Sequence, residues 1–440
     1  MRKVVIFADD LTGANDTAAV IAGMGWKTVS LVRPQSRPEI LKEFECISIN
    51  MDSRDMDSRD AYGTVFETSR EFVTDTSTLY SKRIDSTLRG NLGAESDALL
   101  DSFESMGEMR IALIVPAAPD AGRIYEKDTI RVNGFLLEQT EAAKDPKRPV
   151  RTSSALTLFS QQSKYQTEVI GLETVRTGEN AVKQAIQRCV KRNVRNVLIE
   201  AVTERDIHVI ARAAVLYGNQ IIAVDPGAFT AALLEERFGR KDGVSRKQKT
   251  EDGVPKILAV IGSVNPVTKR QAEYTLEQSN AACVILNVEE ILEAEEGNEN
   301  FAEQIMKKSQ QICENNHTIL LMFSSSVEKE HIDLKLWAES GGTSVEELCR
   351  RLNAAIASVA ADMLKQYEYK AVFTTGGDIT MAVCEALHAD HIVVKEEILP
   401  MAVGGEITLV GGRKIGLATK GGMIGGADAI CKCLDYLKLQ

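Results

Sequence analysis

Short runs of consecutive apolar residues recur along the chain, each closing on a turn with glycine, proline or aspartate and leading into a stretch with helical spacing. The run at residues 3–8 meets Asp9-Asp10-Leu11-Thr12-Gly13 and then a helical stretch over 15–25. The run at 111–115 meets Pro116-Ala117-Ala118-Pro119, and that at 197–200 leads into a helix over 203–216. Residues 257–261 run into Gly262-Ser263, after which Asn265 and Pro266 read as the N-cap and first residue of a helix to 278. Residues 371–375 meet Gly376-Gly377-Asp378 and continue as a helix over 379–387. Shorter strand-like runs begin at Cys46 and cover 77–80, followed by helices near Asp60, with Ser58 as N-cap, and near Asn91. Continuous rather than alternating apolar strands imply sheets covered on both faces, and strands alternating with helices imply parallel layers. The predicted class is α/β.

The polar, glycine-containing stretch 237–255 has almost no apolar anchors and divides the pattern in two. The expected domains are 1–240 and 254–440, each a mainly parallel sheet flanked by helices, with the active site in the cleft between them. A length of 440 residues agrees with more than one core. The apolar fraction of 44% and charged fraction of 26% are those of an ordinary globular protein. A formal net charge of -11 opposes non-specific binding to nucleic acid or an anionic membrane, while leaving room for a local cationic pocket. The eight cysteines are scattered, with no CxxC pair and no histidine at metal-ligand spacing, and read as reduced thiols. The N-terminal apolar run is too short for a signal core and no later run has the length of a membrane span, so a cytoplasmic location is expected.

Ligands of open parallel sheets bind beyond the carboxyl ends of the strands, so the chemistry is sought in the turns. In the first half these turns are charged. Asp9 and Asp10 stand where a carboxylate could accept a substrate hydroxyl's proton, or simply cap a helix. Tyr80 to Asn91 is the most concentrated polar segment, with Lys82 and Arg83 suited to an anion and Asp85 to a hydroxyl. Arg54 is favoured over Arg59 in the tandem MDSRDMDSRD because it lies nearer a strand end. In the second half the turns are small and glycine-rich: Gly262-Ser263, Thr374-Thr375-Gly376-Gly377-Asp378 and Lys420-Gly421-Gly422-Met423-Ile424-Gly425-Gly426. Such turns suit backbone approach to phosphates. The P-loop, the dinucleotide fingerprint and the protein-kinase signatures are absent from the chain.

In order, ADDLTGANDTA (8–18), NMDSR (50–54), KRIDSTLRGN (82–91), VIGSVNPVTKRQ (260–271), TTGGDIT (374–380) and TKGGMIGGADAI (419–430) resemble the four-carbon acid sugar kinases over nearly the whole chain. The resemblance implies ATP- and Mg2+-dependent phosphorylation of the terminal hydroxyl of a four-carbon sugar acid, D-threonate first, with erythronate or a 3-oxo-tetronate as alternatives. It implies acid binding by Asp10, Arg54, Lys82, Arg83, Ile84 and Asp85, and the expected catalytic carboxylate is Asp10 or Asp85. Nucleotide contacts are implied for Ser263, Gly376, Gly377, Asp378, Gly421, Gly422, Met423 and Ile424. The implied partners are the sugar acid and ATP, with neither nucleic acid nor membrane, and a homodimer is compatible with it. The chain departs from the family where K-S-G-G-F-G is common, placing Gly421 for a serine and Met423 for a glycine. It also departs at Asp225-Pro226-Gly227 and at Met401. Two rival readings remain at this stage: a nucleotide-dependent dehydrogenase, and a sugar-acid-binding protein without turnover.

Overall fold

The computed structural model describes residues 3–34, 42–73, 77–145, 147–241, 255–263, 265–279, 281–293, 299–326, 332–422 and 424–440. Met423 and most of the expected boundary segment 237–255 lie outside them. Two compact units are present, Met1–Val244 and Ser245–Gln440.

The strands of the first unit are β1 (Val4–Ala8), β2 (Thr28–Leu31), β3 (Cys46–Asn50), β4 (Leu79–Arg83), β5 (Ile111–Ile114), β6 (Arg123–Glu126), β7 (Thr129–Val132), β8 (Phe135–Leu136), β9 (Thr167–Ile170), β10 (Asn196–Ile199) and β11 (Ile221–Asp225). Those of the second are β12 (Ile257–Ile261), β13 (Ala281–Leu286), β14 (Thr318–Phe323), β15 (Ala371–Thr375), β16 (His391–Leu399), β17 (Ala402–Thr408) and β18 (Lys414–Lys420). In the first unit the order β2-β3-β1-β4-β11-β5-β10-β9 is parallel throughout. In the second, β13-β14-β12-β15-β18 is parallel, and the antiparallel β17 and β16 follow. The α/β class with mainly parallel sheets is therefore as the pattern of apolar runs predicts. Every residue of β1, β3, β4, β11, β12 and β15 is buried, which is why these runs do not alternate. The small antiparallel sheet β6-β7-β8 was not anticipated.

Three local expectations are corrected. The first helix spans Leu11–Gly23 rather than 15–25, because Asp10 caps it: the Asp10 side chain accepts from the Gly13 amide at 2.7 Å. Ser58 is the first residue of the helix Ser58–Phe72 and not its cap, which is Asp57. The third concerns β4, which extends to Arg83, so that Lys82 is a strand residue with no exposed surface. Its charge is tolerated there because Nζ meets Glu95 Oε2 at 2.7 Å and donates to the carbonyls of Phe7 and Arg83 at 3.2 and 2.8 Å. Glu95 lies in the first turn of the helix Leu92–Ser105, so the pair locks that helix onto the sheet. Burial pushes the Glu95 carboxyl above its usual range and Lys82 only partly offsets this.

A buried ion pair is costly to break and cheap to replace whole. Glu95→Gln should destabilise the protein by about 3–5 kcal/mol in urea unfolding, whereas the double variant Lys82→Met/Glu95→Leu should recover most of that loss. Equal stability of wild type and Glu95→Gln would remove the pair from the forces holding β4 in place.

Candidate active site

Because β1 sits between β3 and β4, with Ala8 in register with both Asn50 and Arg83, the turns after these strands lie side by side. The Asp9 carbonyl accepts from the amides of Ser53 and Arg54 at 3.0 and 3.2 Å. Asn91 closes the turn from the other side, donating to the carbonyls of Ser53 and Met56 at 2.9 and 2.8 Å. Arg54 is thereby aimed at three carboxylates: Nε reaches Asp9 at 2.7 Å, Nη1 reaches Asp10 at 2.7 Å, and Nη2 lies 3.8 Å from Asp85. Arg83 lies 3.4 Å from Asp9 and 3.5 Å from Asp10. It fits against the helix start because residue 13 is glycine; a Cβ there would stand 2.0 Å from Arg83 Nη1. Arg89 contacts Asp85 at 2.6 Å and Asp145 at 2.9 Å.

Burial by itself would raise the pKa of Asp9, but Arg54, Lys82 and Arg83 outweigh it and hold the carboxyl below its usual range. Burial likewise opposes ionisation of Asp85, and Arg54 and Arg89 hold that carboxyl far below the usual range. The guanidinium of Arg54 is in turn held charged against its burial by Asp10, Asp9 and Asp85. Asp85 also accepts from the Thr87 hydroxyl, at 2.5 Å. The Asp10 side chain is 24% exposed, against 4% for Asp9 and 8% for Asp85, so it is the carboxylate that a substrate can reach most readily.

Of the residues expected to bind the acid, Asp10, Arg54, Arg83 and Asp85 form one cluster. Lys82 is directed to Glu95 beneath it. Ile84 is a core side chain whose amide donates to the Asp225 carbonyl at 3.1 Å. The departure at Asp225 has a local explanation: its buried carboxylate accepts from the amides of Gly227 and Thr230 at 2.8 and 3.1 Å and so caps the helix Ala228–Phe238. Arg89 was not singled out from the sequence, although it lies inside KRIDSTLRGN.

In the second unit β12, β15 and β18 are adjacent and parallel, which brings their three glycine turns together. The Gly376 amide donates to the Lys420 carbonyl at 2.8 Å, and a Cβ at Gly422 would stand 3.3 Å from Ser263 Oγ. Gly376 precedes the helix Gly377–Ala386 with φ of 86°, a conformation that side chains disfavour. Thr374, Thr380 and Thr419 form a hydroxyl chain, with links of 2.8 and 2.7 Å, that fixes this helix to β15 and β18. Asp378 is exposed in its first turn.

The carbonyls of the loop after β18 are turned inward. Gln271 Nε2 donates to those of Ile424, Gly425 and Gly426 at 2.9, 3.1 and 2.9 Å. Lys420 Nζ donates to those of Gly421 and Ile424 at 2.6 and 3.0 Å, and Thr268 Oγ1 to that of Gly422. These bonds fix the course of the loop's backbone, while the amides of Gly421 and Ile424 are themselves engaged, by the carbonyls of Met401 and Gly421 at 3.2 and 3.3 Å. Burial pulls the Lys420 ammonium down to about 8. Thr268 and Gln271 were not singled out from the sequence, and Lys420 was named only as the start of the glycine-rich turn, without a role of its own. The available signal was polar residues spaced along the inner face of the helix Pro266–Gln278, where Thr268, Gln271 and Thr275 are buried with Ala272. Met401, another departure, has φ of 60° in the two-residue turn between β16 and β17, and its carbonyl accepts from the Gly421 amide at 3.2 Å.

Residues 4–233 match a family described as sugar-binding N-terminal domains, and residues 258–430 one described as nucleotide-binding C-terminal domains. The chain is 37% identical to the D-erythronate kinase of Heliobacterium modesticaldum, over 99% of this chain and 97% of that one. It is 27% identical to the D-threonate kinase of Salmonella typhimurium, over 99% and 98%. A solved Haemophilus influenzae protein of the DUF1537 family shares the fold, with a TM-score of 0.72 at 22% identity over 98% of this chain and all of that one. With matches of this extent along its whole length, the chain belongs to the four-carbon acid sugar kinases, enzymes that phosphorylate such acids with ATP.

Proposed function

We propose that the protein phosphorylates the terminal hydroxyl of D-erythronate, with the acid bound at the ends of β1, β3 and β4 and ATP at the ends of β12, β15 and β18. The choice of erythronate rests on the 37% identity to a D-erythronate kinase, against 27% to the D-threonate kinase that the sequence reading would favour. The carrying observation for the chemistry is Asp10, ionisable, reachable, and held in orientation by the Gly13 amide and Arg54 at 2.7 Å each. Asp10 accepts the proton of the terminal hydroxyl as its oxygen bonds to the γ-phosphorus and the bridging oxygen leaves with ADP. Asp85, acidified by Arg54 and Arg89, is a poor proton acceptor and serves to hold those two cations in place. Lys82 supports the site from beneath.

The γ-phosphate oxygens would take the amides at the start of the helix Gly377–Ala386. The residues fit a magnesium ion carried by the nucleotide, which needs only one or two protein carboxylates. Asp378 would hold it, and its charge would neutralise the phosphates. Among the described residues no group of three or more His, Cys, Asp and Glu could hold a metal.

ADP release with ATP and Mg2+ should depend on added D-erythronate more than on D-threonate, their L-isomers or 3-oxo acids. Acid binding with no ADP release from any of them would leave a sugar-acid-binding protein instead. Asp10→Asn should lower kcat by a factor of about 100 or more with the KM for ATP little changed. An unaltered kcat would remove Asp10 from proton transfer.

Gln271→Leu frees three loop carbonyls and should raise the KM for ATP on the order of 10-fold while leaving that for the acid unchanged. A rise in the acid's KM alone would contradict this assignment of the loop. The Lys420 pKa is depressed to about 8, so its charge is present below that pH and lost above it. The kcat/KM for ATP should therefore fall as pH rises through 8, and a flat profile to pH 9 would show that nucleotide binding does not use that charge.

A further inference from the structure

The acid-binding cluster is short of positive charge. Around the expected substrate position stand four carboxylates, Asp9, Asp10, Asp85 and Asp145, against the guanidiniums of Arg54, Arg83 and Arg89, linked in a chain of ion pairs. Lys82 and Glu95 cancel beneath them. A substrate carboxylate arriving here meets cations that are already paired and a negative excess. Recognition of an acid rather than a neutral polyol requires a further cation.

Arg123 answers that need. It opens β6, and its backbone pairs with Ala118 through two hydrogen bonds of 2.9 and 3.0 Å. Ala118 lies just beyond the carboxyl end of β5, which is separated from β4 by β11 alone, a distance of two strand spacings or about 10 Å. The small sheet is held over this edge by a second bridge, Tyr125 to Ala201 beyond β10, with bonds of 2.9 and 3.0 Å. Arg123 is half-buried and close enough to Asp85 and Asp16 to feel their charges. It forms no ion pair within 4.0 Å among the described residues: Nη1 donates to the Ala121 carbonyl, and its buried Nε has no partner. Burial lowers the Arg123 pKa and the nearby acids do not restore it, the mark of a cation short of counter-charge. Arg148 is a further cation near the edge, tied to the turn after β3 through the carbonyls of Asp55 and Met56, and it has no buried nitrogen left without a partner as Arg123 has.

We infer that Arg123 receives the carboxylate of the sugar acid and is the residue that makes the enzyme select an acid over the corresponding polyol. This rests on the proposed function. The carboxylate end of the substrate lies toward β6, and its terminal hydroxyl toward Asp10.

The test compares wild type, Arg123→Ala and Arg123→Lys in the full chain, using calorimetric binding of D-erythronate and ADP release with D-erythronate and with erythritol. Arg123→Ala should weaken acid binding on the order of 10- to 100-fold, with the KM for ATP unchanged and the acid-over-polyol preference collapsed. Arg123→Lys should retain part of both, because the charge remains and the two-pronged geometry does not. Acid binding within twofold of wild type in Arg123→Ala, with the preference intact, overturns the inference. Absence of acid-dependent ADP release by wild type would sink the kinase reading alone, since a loss of calorimetric acid binding in Arg123→Ala would still uphold Arg123. Wild type that binds no acid overturns both.

Discussion

The guanidinium of Arg54, bonded to Asp9 and Asp10 at 2.7 Å each and 3.8 Å from Asp85, is the interaction on which the acid-binding edge depends. Burial alone would favour the neutral carboxyls of Asp9 and Asp85, and Arg54 leads the cations that hold both ionised. Their ionisation in turn keeps Arg54 charged against its own burial. Each partner therefore holds the other in the state that chemistry requires, and the backbone reinforces the pairing through the bonds from Ser53 and Arg54 to the Asp9 carbonyl. The turns after β1, β3 and β4 act as one body.

The proposed nucleotide site of the second unit is built by different means. Its glycine turns carry few charged side chains, and the loop after β18 is held through its carbonyls by Gln271, Thr268 and Lys420. A nucleotide must be released after each turnover, and dipoles held in place grip phosphates less irreversibly than a cluster of arginines would. The hydroxyl chain of Thr374, Thr380 and Thr419 gives that arrangement a rigid floor.

The strands were legible in the sequence because parallel sheets buried on both faces leave unbroken apolar runs: 257–261 and 371–375 coincide with β12 and β15. The turns at their ends were legible for the same reason, since a strand end is where a buried run has to stop. β4 was read too short because Lys82 looks like surface, and its partner Glu95 is thirteen positions away with nothing local to link them. Arg123 was missed because it belongs to β6-β7-β8, short strands with mixed burial that lack a strong period. Gln271 and Lys420 act through backbone carbonyls that sequence alone does not orient.

The small sheet is built from one excursion of the chain between β5 and β9, joined to the main layer by the Ala118 and Tyr125 bridges. The machinery attributed to proton transfer and phosphate binding is coded elsewhere, in the turns after β1, β3, β4, β12, β15 and β18. The demand for a carboxylate is thereby separable from reaction chemistry along the gene. A lineage can alter this excursion and shift between acid and polyol while the inherited phosphorylating apparatus stays intact, which gives a family of related kinases a modular route to diversify.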